Sequence, residues 1–288
     1  MPMRLRVWDV EHGACAMLQP VIPTPNGDAG GKLAMIDSGN SDTWWPSTYI
    51  RGVLGRTTLD YLFITNADQD HMSDLRGLQD AGIHVTTLFR NPSYTSTQLR
   101  GIKLAGGPLT RDAEWYADAC SSFNQPPSEP FDQHMGGITA TTFWNSYPFF
   151  SDTNNLSLVT FIRYGAFSIL FPGDLEKEGW RALLLREDFR QQLRGVDVLV
   201  ASHHGRENGF CPEVFNFCTP QAIVVSDKPI EHETQLTQPD YRAVTTDRGV
   251  LVRTTGKWRH VLTTRRDGTI QFEVGDDGIF HITTEKSG

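Results

Sequence analysis

No stretch of this 288-residue chain approaches the about eighteen consecutive apolar residues that a membrane-spanning helix needs. Nor does the N-terminus, MPMRLRVWDV, read as a signal peptide, because Val10 is followed at once by Glu11 and His12. A soluble, cytoplasmic protein with no membrane partner is the expectation. The chain also lacks an excess of positive charge: 26 Lys and Arg face 34 Asp and Glu, a formal net charge of -8. Contact with nucleic acid would have to come from a local patch, since a basic coat is excluded. Cysteine is scarce, and Cys15, Cys120, Cys211 and Cys218 form no CxxC pair. Neither a zinc ribbon nor a disulfide framework is indicated, and the thiols read as reduced and structural. Internal repeats and low-complexity segments are missing too. The length fits one large domain, 1–288, with a sizeable core.

What the chain does have is a succession of short apolar runs. RLRVWDV, ACAML and KLAMIDSG read as strands, with PTPNGDAGG as a loop between the last two. WPSTYIRGVLG has helical spacing between Pro46 and Gly55; LDYLFIT is a strand, and HMSDLRGLQDAG a short helix ending at Gly82. From about 91 to 148 the periodicity weakens and Pro126, Pro127 and Pro130 cluster. This segment reads as an insertion or lid with one helix near Arg111–Phe123. Order returns with the strands LSLVTFIRY and FSILFPG, a helix through EKEGWRALLLREDFRQQL, and the strands VDVLVASHHG and QAIVVSD. The tail, GVLVRTT to IFHITTE, alternates in period two as a small antiparallel sheet would.

Three of these runs end in metal-competent side chains. Asn66, Asp68, Asp70 and His71 follow LFIT; Gly173-Asp174 follows ILFP; His203 and His204 follow VLVAS. In α/β sheets the loops at the C-terminal ends of strands gather on one rim, so residues remote in sequence can meet there. A hydrolytic metal site needs such anionic and neutral ligands, an open position, and often a carboxylate shared by two ions about 3.5–4 Å apart. Asp174 suits the shared position.

Taken in order, the blocks resemble the metallo-β-lactamase fold superfamily, and within it the hydrolase domain of the ComEC-type competence proteins and its free-standing relatives. Asp9-Val10-Glu11-His12-Gly13 resembles that group's opening turn, Ile36-Asp37-Ser38-Gly39 its second block, and Asn154-Asn155-Leu156-Ser157-Leu158-Val159 a later strand. Gly173-Asp174 and Ser202-His203-His204-Gly205 complete the series, leaving only about 91–148 unmatched. The resemblance implies a mixed α/β, four-layer αββα sandwich with two divalent metal ions, Zn or Mn, on its edge. It places Asp70, His71, Asp174 and one of His203 or His204 on ligand positions, with His203 preferred as nearer the strand end. It also departs from the pattern, because Asn66 stands where the group has histidine, and Asn154 and Asn155 lie where the wider superfamily has another. One of the two positions is therefore oxygen-rich and weak.

The implied activity is metal-dependent hydrolysis of a phosphodiester, nucleic acid or nucleotide, with Asp70, Asp174 and His232 as catalytic groups. A regulatory module with an impaired metal centre is the alternative, as is a hydrolase of a non-phosphate ester, thioester or lactone. Around this core, Asp37 reads either as a support for the metal loops or as a structural residue. His12, Ser226, Lys228 and His232 read as substrate-facing or as ordinary polar loop residues. Asp68, Asp70 and His71 alone would pass for a helix N-terminus. Arg163, Arg206, Arg242 and Lys257 read as surface, and Phe143, Trp144, Phe149 and Phe150 as packing rather than base-stacking groups.

Overall fold

In MRLRV the residues Met3, Leu5 and Val7 are fully buried while Arg4 and Arg6 stay partly exposed, the two-residue period of a strand with one face on a core. FSILF and AIVV are buried throughout, as strands covered on both faces are. The computed structural model describes residues 1–25, 27–125, 133–228 and 235–287. Among these, the strands in chain order are β1 (Met3–Val7), β2 (Ala16–Thr24), β3 (Gly27–Gly30), β4 (Ala34–Ile36), β5 (Thr58–Phe63), β6 (His84–Phe89), β7 (Thr139–Trp144) and β8 (Leu158–Tyr164). They continue with β9 (Phe167–Phe171), β10 (Val198–Val200), β11 (Ala222–Val225), β12 (Val250–Val252), β13 (Lys257–Arg259), β14 (Val261–Thr263), β15 (Ile270–Val274) and β16 (Phe280–Thr284).

Two mixed sheets result. One runs β13-β12-β16-β15-β1-β2-β4-β5-β6, with β3 paired to β2; the other runs β14-β11-β10-β9-β8-β7. Leu5, Leu18 and Phe63 of the first pack with Ile162, Ile169, Val198 and Val224 of the second in one core between the sheets. Behind the first sheet, Met35 and Leu62 meet Leu75, Leu78, Leu99, Tyr116 and Ala117 from helices. Behind the second, Leu170, Leu199 and Ile223 meet Trp180, Leu183, Phe189 and Leu193. Helix, sheet, sheet and helix therefore form four layers, an αββα sandwich, the layering that the resemblance implied.

Several elements differ from the sequence reading. Segment 91–148 contributes helix Ser96–Leu104 and the edge strand β7 in addition to the helix expected there, Arg111–Ser122. The first of these helices starts in a capping box in which Thr95 and Gln98 exchange bonds, a signal hidden by the weak periodicity around it. β6 was not anticipated either. Part of the loop PTPNGDAGG pairs as β2 with β3. Two expected single helices are each split, into Gln69–Met72 and Leu75–Asp80, and into Lys177–Leu184 and Glu187–Leu193. The tail is not a separate antiparallel sheet: β15 pairs with β1, β12 lies parallel to β16, and β14 crosses to the other sheet beside β11. Period-two alternation reports burial of one face but not which sheet a strand joins. No helix of the described residues is long and apolar enough to cross a membrane.

Candidate metal centre

Strands from both sheets end at one place. Asp37 follows β4, the loop from Thr65 to His71 follows β5, Asp174 follows β9, His203 and His204 follow β10, and Ser226 follows β11. There Asp70, His71, Asp174 and His204 each offer a ligand atom, and these atoms all lie within 4.8 Å of one another. His203, preferred on its distance along the chain, is outside this group. Its Nε2 is 3.9 Å from Asp174 Oδ2 and its Nδ1 is 3.5 Å from Glu176 Oε1.

The backbone makes this gathering possible by unusual means. His203 (φ 50°), His204 (φ 52°), Asp37 (φ 60°) and Glu11 (φ 59°) are the described non-glycine residues with positive φ; the first three sit on these loops and Glu11 in the turn between β1 and β2. The left-handed region disfavours side chains with a Cβ, and strain of about 1–3 kcal/mol per residue persists only where the surroundings impose it. Glycine serves where backbones touch. A Cβ on Gly13 would stand 2.4 Å from the Asp70 carbonyl oxygen and one on Gly39 2.5 Å from it, so both turns of the resembling blocks press against the loop that carries Asp70.

Hydrogen bonding then assigns the ring nitrogens. Nδ1 of His204 is 3.0 Å from the Ser226 carbonyl oxygen, which only accepts, so Nδ1 carries a proton and donates it. Its Nε2 faces Asp70 Oδ2 at 3.1 Å and Asp174 Oδ1 at 3.5 Å, and makes no hydrogen bond of good geometry to either. His71 is placed between carboxylates on both sides: Nδ1 is 2.9 Å from Asp37 Oδ2 and Nε2 is 3.0 Å from Asp174 Oδ1. Each Nε2 therefore turns toward anionic oxygen, and that is stable only if a proton or a metal cation lies between. Asp37 is fixed in turn by Thr65, whose N–H donates at 2.7 Å and whose Oγ1 donates at 2.5 Å.

Without a cation, protons do the work. Burial alone would lower the pKa of His71, but Asp174 and Asp37 raise it well above the ordinary value. His204 is likewise raised against burial, by Asp174 and Asp70. Burial would raise Asp70 and Asp174, yet the close approach of the His204 ring and the neighbouring histidine charges hold Asp70 low, and the charges of His71 and His204 hold Asp174 low. A divalent cation would take the place of those protons on a donor set of two imidazoles and two carboxylates, an ordinary ligand mixture for such ions. The residues fit.

At the rim, His12 Nε2 is 3.3 Å from Asp70 Oδ2 and its side chain is about a third exposed (36%). Burial and the charges of His204, Arg206 and Lys228 lower its pKa, against the pull of Asp70. Ser226 Oγ donates to the Gly13 carbonyl oxygen at 2.7 Å, tying β11 to the turn that carries His12. His232 lies outside the described residues.

The other candidates form a second group. The Asn66 Oδ1 accepts from the Asp68 N–H at 2.8 Å and its Nδ2 donates to Asn154 Oδ1 at 3.0 Å. Asp68 Oδ1 pairs with Lys103 Nζ at 2.6 Å, and its Oδ2 accepts from Thr153 Oγ1 at 2.8 Å. Asn155 turns away, its Oδ1 accepting from Gly179 N–H at 3.0 Å. Phe143 lies in the core and Phe149 is exposed. Lys103, Thr153, Glu176 and Thr65 escaped the sequence reading. For Lys103 a signal existed: it falls four residues after the buried Leu99, on the same face of its helix.

No family model and no curated protein matches the chain. Among solved structures it is similar to a protein named as a metal-dependent hydrolase from Parabacteroides distasonis, at 10% identity and a TM-score of 0.45 over 91% of this chain and 93% of that one. It is also similar to CmlA, a diiron β-hydroxylase from Streptomyces venezuelae, at 13% identity and a TM-score of 0.47. That match takes in 83% of this chain but 51% of CmlA, so the chain spans about half the length of the hydroxylase.

Proposed function

We propose that the chain is a metal-dependent hydrolase of metallo-β-lactamase type whose substrates are phosphodiesters, a nucleic acid or a nucleotide. The observation that supports it best is the pair of buried imidazoles whose Nε2 atoms face Asp70 and Asp174, a donor set that asks for a cation. Asp70, His71, Asp174 and His204 would hold the ion. Asp37 orients His71, and the Ser226 carbonyl oxygen orients His204, as partners behind a metal's ligands do. A divalent ion bound here would supply a Lewis acid and lower the pKa of a water molecule.

The remaining chemistry belongs to the rim. His12, held toward the neutral imidazole and partly open to solvent, can take up or release a proton at Nε2 beside Asp70. Arg206 and Lys228 put positive charge around that same histidine, which favours an anionic substrate such as a phosphodiester. His232, which follows Lys228 on the same stretch of chain, remains a candidate to protonate a leaving alkoxide.

The test is turnover of bis(p-nitrophenyl) phosphate, single-stranded DNA and RNA by protein stripped of metal and then given Mn²⁺ or Zn²⁺. Turnover that needs the ion and vanishes in Asp70→Ala is expected. An ion-dependent hydrolysis of thioesters or lactones with none of phosphodiesters would leave the metal reading and replace the substrate class. Binding of an ion with no turnover of any ester favours an impaired regulatory module, the reading that Asn66 and its amide partner Asn154 support.

A further inference from the structure

We propose that this centre takes one divalent cation and that the neighbouring half of the site, where a second would sit, is closed by the ammonium of Lys103. The inference rests on the metal reading above and concerns the number and place of the ions. Asn66 and Asp68 lie on the same loop as Asp70 and His71, and Asn154 comes from the facing strand's approach. A cation there would need free oxygen lone pairs aimed at a common point. Those lone pairs are instead committed to the protein.

Asn66 accepts from the Asp68 N–H and donates one amide proton to Asn154 Oδ1. The Asn154 amide donates onward to Glu176 Oε1 at 3.0 Å, and Asn208 Nδ2 donates to the same oxygen at 2.7 Å. Asp68 spends one oxygen on Lys103 and the other on Thr153. Asn66, Asp68 and Asn154 thus all have partners within the protein, and the charge of Lys103 repels a cation from the carboxylate that would bind it. In the histidine half, by contrast, Nε2 of buried His204 has no hydrogen bond of good geometry. One half asks for a cation and the other already contains one.

Titration calorimetry of metal-stripped protein with Mn²⁺ reads the stoichiometry, and electron paramagnetic resonance of the loaded wild type reads whether the ion is isolated. One equivalent and the spectrum of an isolated ion are expected. The single equivalent should persist in Asp68→Asn, disappear in His204→Ala, and be joined by a second, weaker one in Lys103→Ala. Two equivalents in the wild type with an exchange-coupled spectrum would overturn the inference while leaving the metal reading intact. Loss of the single equivalent in Asp68→Asn would overturn the placement, and an unchanged single equivalent in Lys103→Ala would overturn the role of the lysine. No binding by the wild type would sink the metal reading itself, and this inference with it.

Discussion

Two halves of one rim, both fed by the loop after β5, are built from similar residue types and behave as opposites. In the half containing His71 and His204, carboxylates face ring nitrogens that cannot satisfy them without an added positive charge. In the half containing Asn66 and Asp68, an amide network and one lysine give both side chains their partners. Metal competence is thus a property of unfinished hydrogen bonding, and a motif's residue types do not by themselves reveal whether the bonding is finished.

The largest expected effect comes from breaking the unfinished half. His71→Ala removes the partner of two buried carboxylates, Asp37 and Asp174, and loss of one member of a buried charged group costs about 3–5 kcal/mol. Chemical denaturation of the metal-free protein should show that loss, whereas Asp68→Ala, whose carboxylate is a third exposed, should give a much smaller one. A comparable loss from both would erase the contrast. Next comes Asp37→Asn. It keeps the shape but weakens the acceptor behind His71, and substitution of such a supporting group lowers metal affinity about 10–100-fold. Calorimetry with Mn²⁺ or Zn²⁺ measures it, and unchanged affinity would make Asp37 merely structural.

The pH dependence sharpens the comparison further. In the metal-free protein His71 and His204 titrate above their ordinary 6.5, so their contribution is complete below that pH and is lost as pH rises through the raised values. Asp70 and Asp174 titrate below 3.8, so theirs is complete above that pH and is lost as pH falls through the depressed values. The cluster therefore stabilises the metal-free fold most between pH 3.8 and 6.5, where thermal melting should show its benefit over a His204→Ala variant. Metal affinity runs the other way. A cation must displace the histidine protons, so binding should weaken as pH falls and should release protons at neutral pH, which calorimetry in buffers of different ionisation enthalpy reads. The smallest effect is on the closed half: the Lys103–Asp68 pair is partly exposed, and Lys103→Ala should cost only about 0–1 kcal/mol of stability.

Much of this arrangement was legible in the sequence because polar residues at the ends of apolar runs announce a rim. Asp70, Asp174 and the His203-His204 pair lay just past their strands, whereas the αββα layering was implied only by the family resemblance of the blocks. Other features were not legible. Which of His203 and His204 enters the cluster depends on two successive left-handed residues, a backbone choice that side-chain type does not encode. Lys103 reaches Asp68 across 35 positions, and its helix lay inside a segment whose weak periodicity suggested an insertion. The tail strands divided between sheets because pairing partners, unlike burial, are decided by the whole fold.

The central claim is that the histidine half binds a divalent cation, and thermal melting of stripped protein with and without excess Mn²⁺ or Zn²⁺ tests it most directly. A ligand that binds only the folded state stabilises by RT ln(1 + [L]/Kd), about 2.7 kcal/mol at a hundredfold excess over Kd. The account predicts a clear rise in melting temperature for the wild type and none for His204→Ala. No rise in the wild type, or an equal rise in both, would contradict it.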